Sequence, residues 1–203
     1  MMAFPRLYAI ADGSFGDPVV IARRLLASGA ELVQVRNKNA SSAVFHQQAA
    51  AIVAAAPDTA SIIVNDRVDI ACLVGAAGAH VGQQDLPAAA ARSILGPDAV
   101  LGVSTHNQDQ ALQAESEAID YLTLGPIFPT TTKKDAEDVL GLDGLARVCR
   151  LVHKRVVAIG GIKLNNAWDV LAAGASSVAV ISDLIGHTNI ERRTREFLDK
   201  LDA

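Results

Sequence analysis

Short apolar, often β-branched runs alternate along the chain with alanine-rich stretches whose apolar residues recur at intervals of three and four. The first kind reads as strand: LYAIAD (7–12), ELVQVR (31–36), SIIVND (61–66), GAHVGQ (78–83), VLGVST (100–105), DYLTLG (120–125), RVVAIG (155–160) and SVAVIS (177–182). The second kind, in DPVVIARRLLASGA, SAVFHQQAAAIVAAA and NNAWDVLAAGA, reads as helix with glycine near several ends. Near-continuous apolar strands imply burial on both faces, as in parallel sheets covered by crossover helices. Eight strand-helix units fit a closed parallel (β/α)8 TIM barrel better than an open doubly wound sheet. No linker or low-complexity block divides the chain, so residues 1–203 are expected to form one barrel domain.

A barrel gives meaning to a second pattern. Polar residues should be excluded from its interior and gather where strands emit their loops, because sites in this architecture sit at the strand C-terminal ends. The second strand ends at Gln34, Arg36 and Lys38, the third at Asn65, Asp66 and Arg67, and the fourth runs to Gln83, Gln84 and Asp85. The fifth leads to Ser104, Thr105, His106 and Asn107, and the sixth to GPIFPTTTKKD, which carries Thr130, Thr131, Thr132, Lys133 and Lys134. Gly160-Gly161 closes the seventh strand, and Ile181 and Ser182 close the eighth.

Cations alone on such a rim suggest phosphate, yet Asp66 and Asp85 would repel it. A hard divalent cation between acid and anion removes the conflict, since magnesium is commonly held by one or two carboxylates, waters and diphosphate oxygens. A diphosphate substrate with Mg2+ is therefore expected. Gly160-Gly161 and Ile181-Ser182 stand where this fold often sets a phosphate against backbone amides, which suggests a second anion site.

Composition narrows the class. Half of the 203 residues are apolar, a fifth are charged and the formal charge is −4, which fits a globular enzyme and gives no basic stripe for nucleic acid. No apolar run reaches the roughly 18 residues of a membrane span, and the N-terminus lacks a signal-peptide core, so a cytoplasmic location is expected. Cys72 and Cys149 lack metal or redox spacing and read as buried thiols. His46, His153 and His187 share no ligand spacing, while His80 reads as a satisfied core residue and His106 as an orienter of the fifth loop. Each rim element also has a plainer reading. NDR at 65–67 suits a helix cap, Gly-Gly a tight turn, and the threonine-lysine run a solvated loop. The functional case rests on their coincidence at one rim.

The ordered set QVRNK (34–38), VNDRVDIA (64–71), GAHVGQQDLP (78–87), LGVSTHN (101–107), GPIFPTTTKKD (125–135), AIGGI (158–162) and AVIS (179–182) resembles the bacterial thiamine-phosphate synthase family over nearly the whole chain. The resemblance implies a (β/α)8 barrel that uses magnesium to join a hydroxymethylpyrimidine diphosphate to a hydroxyethylthiazole phosphate, releasing pyrophosphate. It implies that the QVRNK run, Gln34, Val35, Arg36, Asn37 and Lys38, together with Asn65, Ser104 and Lys133, holds the pyrimidine diphosphate. Asp66 and Asp85 would bind magnesium. Thr130, Thr131, Thr132, Gly161, Ile181 and Ser182 would hold the thiazole phosphate. Catalysis would fall to Lys133, Arg36, Lys38 and Ser104. The family's first motif more usually reads Gln-Leu-Arg-Glu-Lys, so Val35 and Asn37 depart from it; Asn37 removes a carboxylate beside Arg36 and Lys38 and bears on rate rather than reaction. A thiazole tautomerase of the same structural family and a catalytically silent binder of thiamine intermediates are the alternatives. IERRTREFLDKL and NNAWDVLAAGA suit packing on a second copy in a homo-oligomer as well as on the barrel.

Overall fold

The computed structural model describes residues 4–130 and 138–202. Eight parallel strands follow one another around a closed barrel. They are β1 Leu7–Asp12, β2 Leu32–Arg36, β3 Ser61–Asn65, β4 Gly78–Val81, β5 Val100–Thr105, β6 Tyr121–Leu124, β7 Arg155–Ile159 and β8 Ser177–Val180. All eight expected runs are strands, most of them one or two residues shorter. β1 closes the ring by pairing with β8 through Leu7 to Val178, Tyr8 to Ala179 and Ala9 to Val180.

Helices cover the sheet: α1 Pro18–Ala27, α2 Ser42–Ala55, α3 Val68–Val74, α4 Ala88–Leu95 and α5 Gln108–Glu115. The second half adds α6 Gly141–Leu151, α7 Ala167–Ala172, the single turn α8 Ser182–Ile185 and α9 Ile190–Asp202. Side-chain capping starts several of them, with Asp17 accepting from Val19 N–H, Ser41 from Val44 and Asn107 from Gln110. The stripe Ile190, Thr194, Phe197 and Leu201 of α9 is buried, whereas Trp168 on α7 stays 39% exposed.

The period-2 pleat sorts every strand into two cores. Outward positions such as Ala9, Val33, Val35, Ile62, Val64, Leu122 and Val178 pack beneath the helices, which explains the near-continuous apolar runs. Inward positions form a smaller core of Tyr8, Ile10, Leu32, Ile63, Tyr121, Val157 and Ala179. The interior is more polar than the sequence led us to expect. Asp12, Gln34, Asn65, His80 and Thr123 are buried there, and no buried side-chain nitrogen or oxygen among the described residues lacks a partner. A barrel lumen tolerates polar groups when each is hydrogen-bonded.

Candidate active site

Because inward positions recur every second residue, the last inward residue of each strand faces the mouth of the barrel. Gln34 and Arg36 of β2 face in, while Val35 between them is completely buried on the helix side. The Val35 side chain therefore points away from the mouth, which leaves only its backbone to serve the binding role expected of it. Gln34, Arg36, Asn65, Ser104, Thr130, Gly161, Ile181 and Ser182 line a single cavity of about 150 Å³. Thr131, Thr132, Lys133 and Lys134 lie outside the described residues.

One wall of this mouth is built from charges. Arg36 donates to the carboxylate of Asp12, whose other oxygen accepts from the Ser14 N–H and hydroxyl at 2.8 and 2.7 Å. The Asp12 side chain is only 2% exposed and Arg36 18%, so the guanidinium is held in a fixed direction by a buried anion. Asp12 was missed in the sequence, although it ends LYAIAD, where the strand-end rule applies. Beside it, Lys38 reaches Asp66 at 3.2 Å with its own side chain 55% exposed. Asp85 neighbours Asp66, and burial followed by that neighbouring acid raises the Asp66 pKa, with Lys38 opposing. Asp85 accepts from Gly82 N–H at 2.7 Å. These three groups sit together next to the cavity rather than in its lining.

The cap reading of NDR fails. α3 begins after Arg67, which makes no side-chain cap bond, and Asp66 adopts φ 61°, a left-handed conformation that exposes its carboxylate to Lys38 and Asp85 instead of to the helix. Asn37 donates to Gln48 at 3.0 Å and stands against Gly13, off the cavity lining.

The opposite wall is built from backbone. Gly160 and Gly161 have φ 99° and 63°, and a Cβ on Gly161 would lie 2.6 Å from the Pro129 carbonyl oxygen. Phe128 N–H donates to Gly160 and Ile127 N–H to Ile159, so the loops after β6 and β7 are joined. Asp183 accepts from Leu164 N–H at 2.8 Å and from Arg193 at 2.6 Å, tying the loop after β7 to α8 and α9.

Beneath the mouth, His80 lies between the Tyr121 hydroxyl at 3.1 Å and Ser104 Oγ at 2.9 Å. Tyr8 is 2.9 Å from Tyr121 and accepts from Gln34 at 3.0 Å. Burial raises the pKa of both tyrosines, keeping their hydroxyls protonated. His106 donates from Nδ1 to the Gly125 carbonyl at 2.8 Å, holding the fifth loop against the sixth as expected. The cysteines differ from expectation. Cys72 is exposed beside the Ile94 carbonyl, and Cys149 is half-buried with its thiol pushed up to about 11 by burial. Helix-surface positions explain both, since α3 and α6 bury only one stripe each.

Known proteins share this chain's pattern. The family model described as thiamine monophosphate synthase matches residues 7–184. A thiamine-phosphate synthase of Koribacter versatilis is 42% identical over 209 residues, covering 100% of this chain and 98% of the relative. One from Chlorobium phaeovibrioides is 45% identical, covering 90% of this chain and 88% of its own length. Among solved structures, a thiamine phosphate pyrophosphorylase from Pyrococcus furiosus aligns with TM-score 0.89 and 34% identity over 97% of this chain and 95% of that one.

Proposed function

The chain belongs to the thiamine monophosphate synthase family, and from that premise we propose how its rim carries out the transfer. The protein is a transferase that condenses the aminopyrimidine methyl diphosphate with the thiazole phosphate, giving thiamine phosphate and pyrophosphate. The tautomerase and silent-binder alternatives are not favoured, because full-length relatives near 40% identity are synthases.

Asp66 and Asp85 would hold magnesium. Two neighbouring carboxylates, one with a raised pKa, form a site whose repulsion a divalent cation relieves, so the residues fit the ion. When bound, magnesium supplies positive charge to the diphosphate oxygens. The chain's own groups do the rest. Arg36, aimed by Asp12, Lys38 and the sequence-assigned Lys133 neutralise charge developing on the leaving diphosphate. The carbon-oxygen bond then breaks with its electron pair passing to the diphosphate oxygen, leaving a methylene cation stabilised by the aminopyrimidine ring. Gln34, Asn65 and Ser104 hold that ring. Thr130, Thr131, Thr132, Gly161, Ile181 and Ser182 hold the thiazole phosphate, so that the thiazole nitrogen attacks the methylene carbon and closes the new carbon-nitrogen bond. No protein nucleophile takes part. The reaction uses small molecules only, without nucleic acid or membrane, in a cytoplasmic enzyme acting as one barrel domain; among the described residues no helix is long and apolar enough to cross a membrane.

The observation that carries this reading is the charged wall, where a buried acid fixes Arg36 beside a lysine and two neighbouring carboxylates. The test is a coupled pyrophosphate assay. Release is expected only when both substrates and magnesium are present. Isomerisation of a thiazole carboxylate phosphate without pyrophosphate release would overturn the assignment.

A further inference from the structure

Five side chains from five strands form one continuous hydrogen-bonded path across the floor of the cavity: Gln34, Tyr8, Tyr121, His80 and Ser104. Its two ends, Gln34 on β2 and Ser104 on β5, both line the cavity, while Tyr121 in the middle is fully buried. With the Gln34 amide oriented as it is, the hydrogen-bond inventory of these groups sets the direction of the path. Gln34 Nε2 donates to the Tyr8 oxygen. Tyr8 is fully buried and its hydroxyl meets only Gln34 and Tyr121 among the described residues, so its own hydrogen goes to Tyr121. An orphaned hydroxyl hydrogen there would forfeit a buried bond. Tyr121 then donates to His80 Nδ1, which leaves the histidine proton on Nε2, directed at Ser104 Oγ. Ser104, already accepting, offers its hydroxyl hydrogen to the cavity, and Gln34 offers its carbonyl oxygen. Reversal requires the Gln34 amide to turn over and every hydroxyl to turn with it, so the two ends always present opposite senses.

The fold has made room for this path. A Cβ on Gly102 of β5 would fall 2.1 Å from the Tyr121 ring and 2.5 Å from His80 Nδ1. The bare glycine permits the His80 ring to stack on Tyr121 with centroids 5.5 Å apart and planes 20° from parallel.

We propose that Tyr8, Tyr121 and His80 are positioning residues that set the hydrogen-bonding sense of Gln34 and Ser104, so that the cavity selects a heteroaromatic edge carrying an exocyclic amine beside an unprotonated ring nitrogen. The assignment of ring specificity rests on the pyrimidine occupying Gln34 and Ser104. An aminopyrimidine supplies a donor where Gln34 accepts and an acceptor where Ser104 donates. The 4-oxo analogue reverses both. A site built to hydrogen-bond its substrate rejects the mismatched analogue strongly, because its own polar groups are left unpaired.

Two measurements on the intact protein decide it. In histidine-labelled protein, two-bond proton-nitrogen correlations, assigned by their loss in His80→Asn, should show His80 as the Nε2–H tautomer in the wild type and a mixed population in Tyr121→Phe. The Nδ1–H tautomer in the wild type, or a spectrum unchanged by Tyr121→Phe, would overturn the relay. With aminopyrimidine methyl diphosphate and its 4-oxo analogue, the wild-type kcat/KM ratio should exceed about 100-fold. It should drop at least about tenfold in both Tyr121→Phe and Tyr8→Phe. A purely structural role would lower thermal stability and leave the ratio and tautomer alone, which overturns the proposal. Absence of turnover with either diphosphate would sink the functional reading and ring specificity together, while the tautomer measurement still decides the relay.

Discussion

The two walls of the mouth are built by different physics. The wall from β1 to β4 uses side-chain charges, each already engaged: Arg36 by Asp12, Lys38 by Asp66, and Asp66 by Asp85. The wall from β6 to β8 uses main-chain geometry, with left-handed glycines and the Asp183 strut holding loops in place. A charged wall suits a group whose charge changes during reaction, because fixed countercharge is worth most where charge develops. A backbone wall suits a phosphate that remains unchanged and needs only to be held.

The largest effect is expected on the charged wall. Asp66→Ala should lower kcat by about 10² to 10³ with little change in KM for the thiazole phosphate, measured by steady-state pyrophosphate release. A proportional loss on both substrates would erase the distinction between the walls. Asp12→Ala comes next. Removing a buried partner leaves Arg36 uncompensated and should cost about 3 kcal/mol in urea unfolding. Lys38→Ala, whose side chain is 55% exposed, should cost under about 1 kcal/mol.

Magnesium linkage follows. Burial and Asp85 raise the Asp66 pKa above its unfolded value, so the folded state holds that proton more tightly. This contribution stabilises the fold below the unfolded pKa and is lost as pH rises through the folded pKa. Magnesium must displace the proton, so its thermal stabilisation should be larger at pH 8 than at pH 5. At a hundredfold excess over Kd it should approach about 2.7 kcal/mol. Equal stabilisation at both pH values would argue against Asp66 as a ligand. On the backbone wall, Gly161→Ala should cost about 1 to 2 kcal/mol of strain and raise KM for the thiazole phosphate more than it lowers kcat. A mainly kcat effect would put this glycine on the wrong side of the comparison.

The same contrast governs what was legible in the sequence. The eight strands could be found because burial on both faces leaves a local apolar signature, and the cavity-lining residues because strand ends are marked by polar residues. Gln34, Arg36, Asn65 and Ser104 were accessible in that way. The partners were not. Tyr8 and Tyr121 are 113 positions apart and look like ordinary core aromatics, and Asp12 acquires its meaning only when β1 pairs with β2 in the register that sets it opposite Arg36. NDR was ambiguous because a capping sequence and a left-handed strand end use the same residue types, and the Asp66 torsion distinguishes them.

The pairing of β1 with β8 also governs how the chain reaches its native form. Tyr8 must wait for Ala179 to become available before the ring has no free edge. Until then, a growing or refolding chain carries two strands with unpaired amides and carbonyls, the surfaces through which sheets join their neighbours. Parallel pairing between such distant segments is slow because loop-closure entropy opposes it before contacts reward it. Ring closure thus makes the last strand a gatekeeper of solubility during synthesis, and losses in yield should concentrate in variants that weaken this seam, even where the mouth of the barrel is untouched.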